Sequence, residues 1–286
     1  MASSLRGDPD DDPLCQGAPS LVETGKLTAI SLERQMREAT KMTDDEESAI
    51  GANIERQIPN HPMFKGKWDE PADLLKYSGY LTSIVQLLAR QSKRPGLRYR
   101  VHVARLPEFN AGAFPGGVMF VNTGLLESAE AVRSEAELVA VLSHEITHVE
   151  KRHTAASYQY AKEILGDSSD TAAVAVKMLS LPLSTEYEHE ADDGGILMAI
   201  EAQYNPQAQV DLWRRFAATE KAQRGDTVGG VLGGLDALLR THPSSARRAC
   251  KAMERVNWAR ETGRWDRFYD GRSNLNQRVS GPERAF

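Results

Sequence analysis

Several things are scarce in this chain. Cysteine occurs twice in 286 residues, as Cys15 and Cys250, with no C-x-x-C spacing. That excludes a disulfide-stapled scaffold and a cysteine-knuckle metal site, and it leaves the compartment open. No apolar run approaches the roughly 20 residues that a membrane-spanning helix needs, so no transmembrane segment is expected. Basic residues do not dominate: 35 Lys and Arg stand against 40 Asp and Glu, a net charge of −5. A general affinity for phosphate backbones is therefore not expected, and nucleic acid is not an expected partner. Met1 to Pro13 is polar and Asp-rich without an apolar core, so this stretch does not read as a secretory signal. What remains, 41 % hydrophobic and 26 % charged, is a globular composition with length enough for a sizeable core. Nothing in it sets an oligomeric state.

Turn and cap signals divide the chain. Residues 1–30 carry Asp, Pro, Gly and Ser without periodicity and read as a flexible tail. A single domain is expected over 31–270, with a loose tail at 271–286. A short helix is expected at 31–41. Thr43 and Glu46 form a capping box ahead of Ile50, Ile54 and Ile58, with Pro59 as the stop. Pro71 opens a helix carrying Leu74, Leu81, Ile84, Val85 and Leu88. Leu97, Tyr99, Val101 and Val103 alternate with Arg98, Arg100 and His102, a half-buried strand with His102 on its polar face. Asn110-Ala111-Gly112-Ala113-Phe114-Pro115-Gly116-Gly117 then reads as an edge segment and a turn before the buried strand Val118–Val121. Such an edge can take a peptide main chain, although a plain hairpin explains it equally. Later stretches read as helices: 134–153, 155–181, one capped by Ser184, one opened by Asn205-Pro206, and a basic one through Arg247 and Arg248. Glycines at 225, 229, 230, 233 and 234 precede Thr241-His242-Pro243. The fold class expected is α+β, mostly helical, with a small sheet beside the helix discussed next.

That helix contains His144-Glu145-Ile146-Thr147-His148. Residues four apart on a helix share a face, so both imidazoles project together and suit two corners of a tetrahedral Zn²⁺. Glu145 lies about 100° round the helix, placed to act as a general base on a water without ligating the metal. The bland alternative is a helix with two surface histidines. His153, five residues beyond His148 and half a turn off the ligand face, is left out of the metal set.

A catalytic zinc has three protein ligands and one open position. The acidic candidates downstream are Glu186, Glu188, Glu190 and Asp192. Glu188 and Asp192 share a face, as do Glu186 and Glu190. In either pair one carboxylate could ligate while the other orients a ligand histidine. Spacing leaves that choice open, and a solvated acidic face would account for all four.

The motifs together resemble the gluzincin metallopeptidase family that contains the CAAX prenyl endopeptidases, the HtpX heat-shock proteases and soluble bacterial envelope proteases. The likeness rests on His144, Glu145 and His148, then Glu188-His189-Glu190-Ala191-Asp192. It also rests on residues 110–126, which run from the Asn110 segment to Asn122-Thr123-Gly124-Leu125-Leu126, and on His242-Pro243 with Arg248. It extends from about residue 43 to about 250. It implies that Glu188 is the third zinc ligand beside His144 and His148. It implies that Asp192, with Arg248 near it, supports a ligand histidine. His242 would approach the metal, either as an oxyanion donor or as a fourth ligand closing the site. Asn110, Ala111, Gly112, Ala113 and Phe114 would align a polypeptide substrate. Membrane members of the family carry transmembrane helices and some envelope members a C-terminal repeat domain; this sequence shows neither.

The expected activity is that of a zinc-dependent metalloendopeptidase, one zinc per chain, acting on unfolded or damaged polypeptides. The alternative is a binding or chaperone-like module whose zinc site is latched or weakly active. The resemblance implies the cell envelope or periplasm, with the cytoplasm as the alternative.

Overall fold

A computed structural model describes residues 42–68, 74–166, 170–225, 242, 245–263 and 268–278. The N-terminal tail, the expected helix at 31–41 and the glycines from 229 to 234 lie outside these residues. In order, the elements are α1 (Asp44–Gln57), α2 (Leu75–Ala89), β1 (Arg100–Ala104), β2 (Ala111–Phe114), β3 (Val118–Asn122), α3 (Thr123–Glu127), α4 (Glu135–Glu150), α5 (His153–Leu165), α6 (Thr171–Leu179), α7 (Thr185–Glu201), α8 (Gln207–Gly225), α9 (Ser245–Glu261) and α10 (Arg272–Gln277). The α+β expectation holds: helices surround one small sheet.

The sheet order is β1-β3-β2, with β3 parallel to β1 and antiparallel to β2. The apolar run Val118–Val121 explains why β3 is central, since a strand buried on both faces cannot alternate with polar residues. Met119 and Val121 face a core shared by α2, α4, α7, α8 and α9. Val118 and Phe120 face a second core with Phe114, α1, α5 and α6. Pro115 falls in a one-turn connection, and Gly116 and Gly117 follow it at φ 75° and 80°. The turn thus leaves β2 as an edge strand.

The capping box of α1 is complete: Thr43 accepts from the Glu46 amide, and the Glu46 carboxylate accepts from the Thr43 amide. At α4 only half of it forms. Ser134 accepts from the Glu137 amide, but the Glu137 carboxylate takes hydrogens from the Arg133 amide and Arg215 instead. Helix α4 is buried from Glu135 to Val149. It ends three residues short of the expected point: Arg152 adopts φ 63° and His153 opens a new helix. The single helix expected over 155–181 is two helices. Gly166, at φ 86°, ends α5, and Asp170 accepts from the Ala173 amide to start α6. The stretch from 271, expected to be loose, contains α10, and its Asn274 donates to the buried Glu135.

Two glycines decide how close α7 comes to α4. A Cβ on Gly194 would stand 2.6 Å from Thr147 Cγ2, and one on Gly195 would stand 3.1 Å from the His144 amide nitrogen. A glycine in a helix interior is unfavourable by about 1 kcal/mol relative to alanine. Here that penalty permits contact between two backbones, and it brings the acidic end of α7 against the histidines of α4.

Candidate metal centre

His144 and His148 project from α4 as helical spacing predicts, and their Nε2 atoms lie 3.0 Å apart. Glu188, on the first turn of α7, faces both. Its Oε2 is 3.5 Å from His144 Nε2 and its Oε1 is 3.4 Å from His148 Nε2. A tetrahedral zinc with bonds of about 2.0–2.1 Å has ligand atoms about 3.3 Å apart, so the three spacings straddle the value such an ion requires. His242 adds a fourth group, its Nδ1 lying 2.9 Å from each Glu188 oxygen. Ligand atoms of His144, His148, Glu188 and His242 all fall within 4.8 Å of one another, and all four residues are buried. Three imidazoles and one carboxylate form a donor set that fits zinc.

Glu145 stands apart from that cluster. It is buried, and its Oε1 comes no nearer than 3.8 Å to His242 Nε2. It lines a narrow cavity with His148, His242, the segment Asn110–Ala113 and the apolar wall of Met178, Leu179, Leu181 and Leu183. Buried oxygens of Asn110, Thr154 and Ser157, all on the cavity wall, have no hydrogen-bond partner among the described residues. Buried groups of that kind are costly unless a partner arrives. Phe114, grouped with this segment in the sequence, does not line the cavity: its ring is fully buried against Phe120 in the second core.

The charges behind the cluster are arranged in depth. Arg248, 1 % exposed, makes two parallel bonds to Asp192, Nε to Oδ2 and Nη2 to Oδ1, both 2.7 Å. Its guanidinium lies 3.5 Å over the Trp213 ring. Asp192 Oδ1 is 3.0 Å from His144 Nδ1, and Arg248 Nη2 lies 3.2 Å from the same nitrogen, so the pair fixes the orientation of the ring. Arg248 Nη1 is 2.9 Å from Glu188 Oε2, a charge contact whose angle makes no hydrogen bond. Burial acts to raise the Glu188 carboxyl, but the charges of His242 and Arg248 outweigh it and hold that carboxyl well below the ordinary range. Asp192 is likewise lowered: burial opposes ionisation, and Arg248 overrides it. Burial, and then the neighbouring His144 charge, push His148 well below the usual histidine range. A neutral His148 is the form that ligates metal.

Of the four acidic candidates on α7, Glu188 and Asp192 turn inward. Glu186 is exposed, and Glu190 reaches His153 with a bond of 3.1 Å from Nε2. His102 takes no part: it bonds Glu55 at 2.8 Å and stacks on Trp68. Sequence reasoning missed the close-approach glycines Gly194 and Gly195, although two glycines inside a helix pattern are themselves a packing signal. It also missed His153, whose Nδ1 lies 2.9 Å from His148 Nδ1.

An inward-facing histidine pair on one buried helix, a carboxylate from a second helix and an uncoordinated Glu beside an edge strand define a zincin-type metallopeptidase site. A family model described as peptidase family M48 matches residues 76–256. The chain belongs to that family. It is 31 % identical over 186 residues to the mitochondrial metalloendopeptidase OMA1 of Schizosaccharomyces pombe, covering 61 % of this chain and 52 % of that protein. The Saccharomyces cerevisiae protein of the same name is 32 % identical over 165 residues, 54 % and 46 % of the two chains. That of Arabidopsis thaliana is 31 % identical over 183 residues, 59 % of this chain and 34 % of that one. The chain spans about half the length of the first two of these relatives. The gluzincin-type membership expected from the motifs holds. These relatives carry the name of a mitochondrial enzyme rather than of a CAAX prenyl endopeptidase, an HtpX protease or a bacterial envelope protease. Among the described residues no helix is long and apolar enough to cross a membrane.

Proposed function

We propose that this chain is a zinc-dependent metalloendopeptidase that hydrolyses peptide bonds in unfolded or damaged polypeptides, with 31–270 acting as one metallopeptidase domain. The observation that carries the reading is the convergence of His144, His148 and Glu188 at tetrahedral spacing, with Glu145 beside them on the cavity wall. Those three residues hold one zinc per chain. Zinc bound there supplies Lewis acidity, polarising a carbonyl and bringing the pKa of water toward 7.

The chain's own groups do the rest. Glu145 takes a proton from the attacking water and delivers it to the leaving amine. Asp192 holds His144 by its Nδ1, and Arg248 keeps Asp192 ionised and in place. Asn110, Ala111, Gly112 and Ala113 line the cavity and align the substrate main chain on the open edge of β2. Phe114 supports that edge from the core side. The unpaired oxygens of Asn110, Thr154 and Ser157 are available to an incoming chain.

His242 closes the site at rest. Its nitrogen sits against both Glu188 oxygens at 2.9 Å, which favours a weakly active resting state. One nitrogen cannot ligate metal and donate to substrate at once, so His242 moves aside when substrate enters and then stabilises the oxyanion. For compartment, the relatives' shared description supports a mitochondrial-type setting over the bacterial periplasm.

Cleavage of unfolded casein by the zinc-loaded chain tests the reading, with Glu145→Gln as the inactive control. Equal activity in the wild type and Glu145→Gln, or none in a zinc-loaded wild type even after His242→Ala, would overturn it. Higher basal turnover in His242→Ala supports closure at rest. A loss on the order of 10²–10³ instead makes His242 only an oxyanion donor.

A further inference from the structure

We propose that His153 and Glu190 are positioning residues that hold the metal-facing nitrogen of His148 in place through an imidazole-to-imidazole hydrogen bond. This rests on the reading of His148 as a zinc ligand. His153 would point away from His148 if α4 continued through it, five residues being about 140° past a full turn. The chain instead breaks at Arg152, which takes the left-handed conformation at φ 63°. The break is pinned from outside. The Arg152 guanidinium bonds the Met42 carbonyl at 2.8 Å and pairs with Asp44 and the fully buried Glu47 of α1. A non-glycine residue in that region persists only where its surroundings hold it, and such positions cluster at functional sites.

The reversed chain brings His153 back toward α4. Its Nδ1 comes to 2.9 Å from His148 Nδ1, and its Nε2 to 3.1 Å from Glu190 Oε2. The ring is clamped face to face on Tyr187, with centroids 3.9 Å apart and planes 11° from parallel. With His148 read as a zinc ligand, these contacts set the direction of the bonds in the series. His148 turns Nε2 to the ligand cluster, so that nitrogen is bare and the proton of the neutral ring is on Nδ1. His148 Nδ1 therefore donates and His153 Nδ1 accepts. The His153 proton is then on Nε2, where it donates to the Glu190 carboxylate. A ligand histidine usually gives this hydrogen directly to a carboxylate or a carbonyl. Here a second imidazole carries the interaction from a 3 % exposed position to a carboxylate that is 33 % exposed.

The test combines zinc affinity, measured by competition with a chromogenic chelator, with ¹⁵N spectra of the histidine-labelled, zinc-loaded chain. His153→Leu should weaken zinc binding about 10- to 100-fold. His153→Asn, whose Oδ1 stands near the place of Nδ1 and can accept the same hydrogen, should recover most of that loss. The wild-type spectrum should show His153 protonated at Nε2 and bare at Nδ1, with the His148 Nδ1 proton protected from exchange with water. A His153 protonated at Nδ1 would overturn the proposal, as would a Leu variant that binds zinc as tightly as wild type. If the Leu variant fails to fold, the Asn variant and the wild-type spectrum decide. A folded wild-type chain that takes up no zinc would instead overturn the metal reading itself.

Discussion

His144 and His148 are one helical turn apart, yet the structure holds them by different means. On the His144 side stand a carboxylate, a guanidinium and an indole, with Asp192 and Arg248 almost wholly out of solvent and Trp213 capping the cation. On the His148 side stand an imidazole and a carboxylate, and the second of these reaches the surface. The difference follows from α7. Asp192 lies four residues beyond Glu188 and so turns inward with it, whereas Glu190 lies about 200° round the helix and turns toward solvent. One side is therefore a buried ionic assembly whose members depend on each other. The other is a series of hydrogen bonds whose last member is partly hydrated. Substitutions should cost far more folding stability on the first side.

The largest effect is expected at Arg248. Replacing it by Met keeps most of the packing on Trp213 but leaves Asp192 and Glu188 buried without their cation. Breaking a buried ion pair from one side costs about 3–5 kcal/mol, and urea unfolding of the metal-free chain should read a loss of that size. A change under about 1 kcal/mol would mean that the two sides do not differ as described. Next comes the backbone contact that makes the His144 side tight. Gly195→Val puts a branched side chain where even a Cβ is 3.1 Å from the His144 amide nitrogen and from Ser143 Oγ. Overpacking of this kind costs about 1–3 kcal/mol. Because it separates α7 from α4, zinc retention should fall with stability. Wild-type zinc retention in this variant would show that the helices can part without moving Glu188.

Asp192→Asn sharpens the comparison. It removes charge but keeps shape, and zinc affinity should fall about 10- to 100-fold, as for other partners of metal-binding histidines. The pH dependence has a definite sign. The Asp192 carboxyl is lowered in the folded chain from its ordinary 3.8. Its contribution to stability is therefore present above that pH and is lost as pH falls through the lower folded value. In the metal-free chain the gap between wild type and Asp192→Asn should be widest above about pH 4 and should close in stronger acid. A gap independent of pH would assign the effect to packing.

How much of this was legible beforehand differs between the two sides. His144, Glu145 and His148 follow from spacing on one helix, since α4 is regular where they stand. Physics alone could not choose Glu188 over its acidic neighbours, because which face of α7 is buried depends on Gly194 and Gly195 meeting Thr147 and His144 of α4, far away in the sequence. Resemblance to a family supplies the expectation, and the structure shows only that Glu188 and Asp192 are the two that turn inward. Extending α4 through Arg152 turns His153 away from His148. A left-handed residue held by Asp44 and Glu47, over a hundred positions earlier, leaves no local trace in the sequence. The half-made capping box at Ser134 fails for a similar reason, since Arg215 competes for Glu137 from a distant helix. In the sheet, the buried strand and its edge neighbour were readable from apolar runs and the Pro-Gly-Gly turn. The parallel pairing of β1 with β3 was not, because nothing in a strand's own residues records its partner's direction.

The smallest effect is expected next door to one of the largest. Asp193 follows Asp192 in sequence and also pairs with an arginine through two contacts, those with Arg255 Nε and Nη2. The chemistry is the same carboxylate–guanidinium pair on the same two helices. What differs is the dielectric around it, because Asp193 is 42 % exposed and Arg255 29 %. Water screens the Coulomb attraction and solvates either partner when the other is removed, so such pairs contribute about 0–1 kcal/mol. Asp193 also faces away from the histidines, so no ligand depends on its orientation. Asp193→Asn should therefore shift the urea midpoint little and leave zinc retention as in wild type, at every pH where Asp192→Asn shows a deficit. If the two asparagine variants lose equal stability or equal zinc, burial is not what separates them, and the contrast drawn between the inner and outer faces of α7 fails.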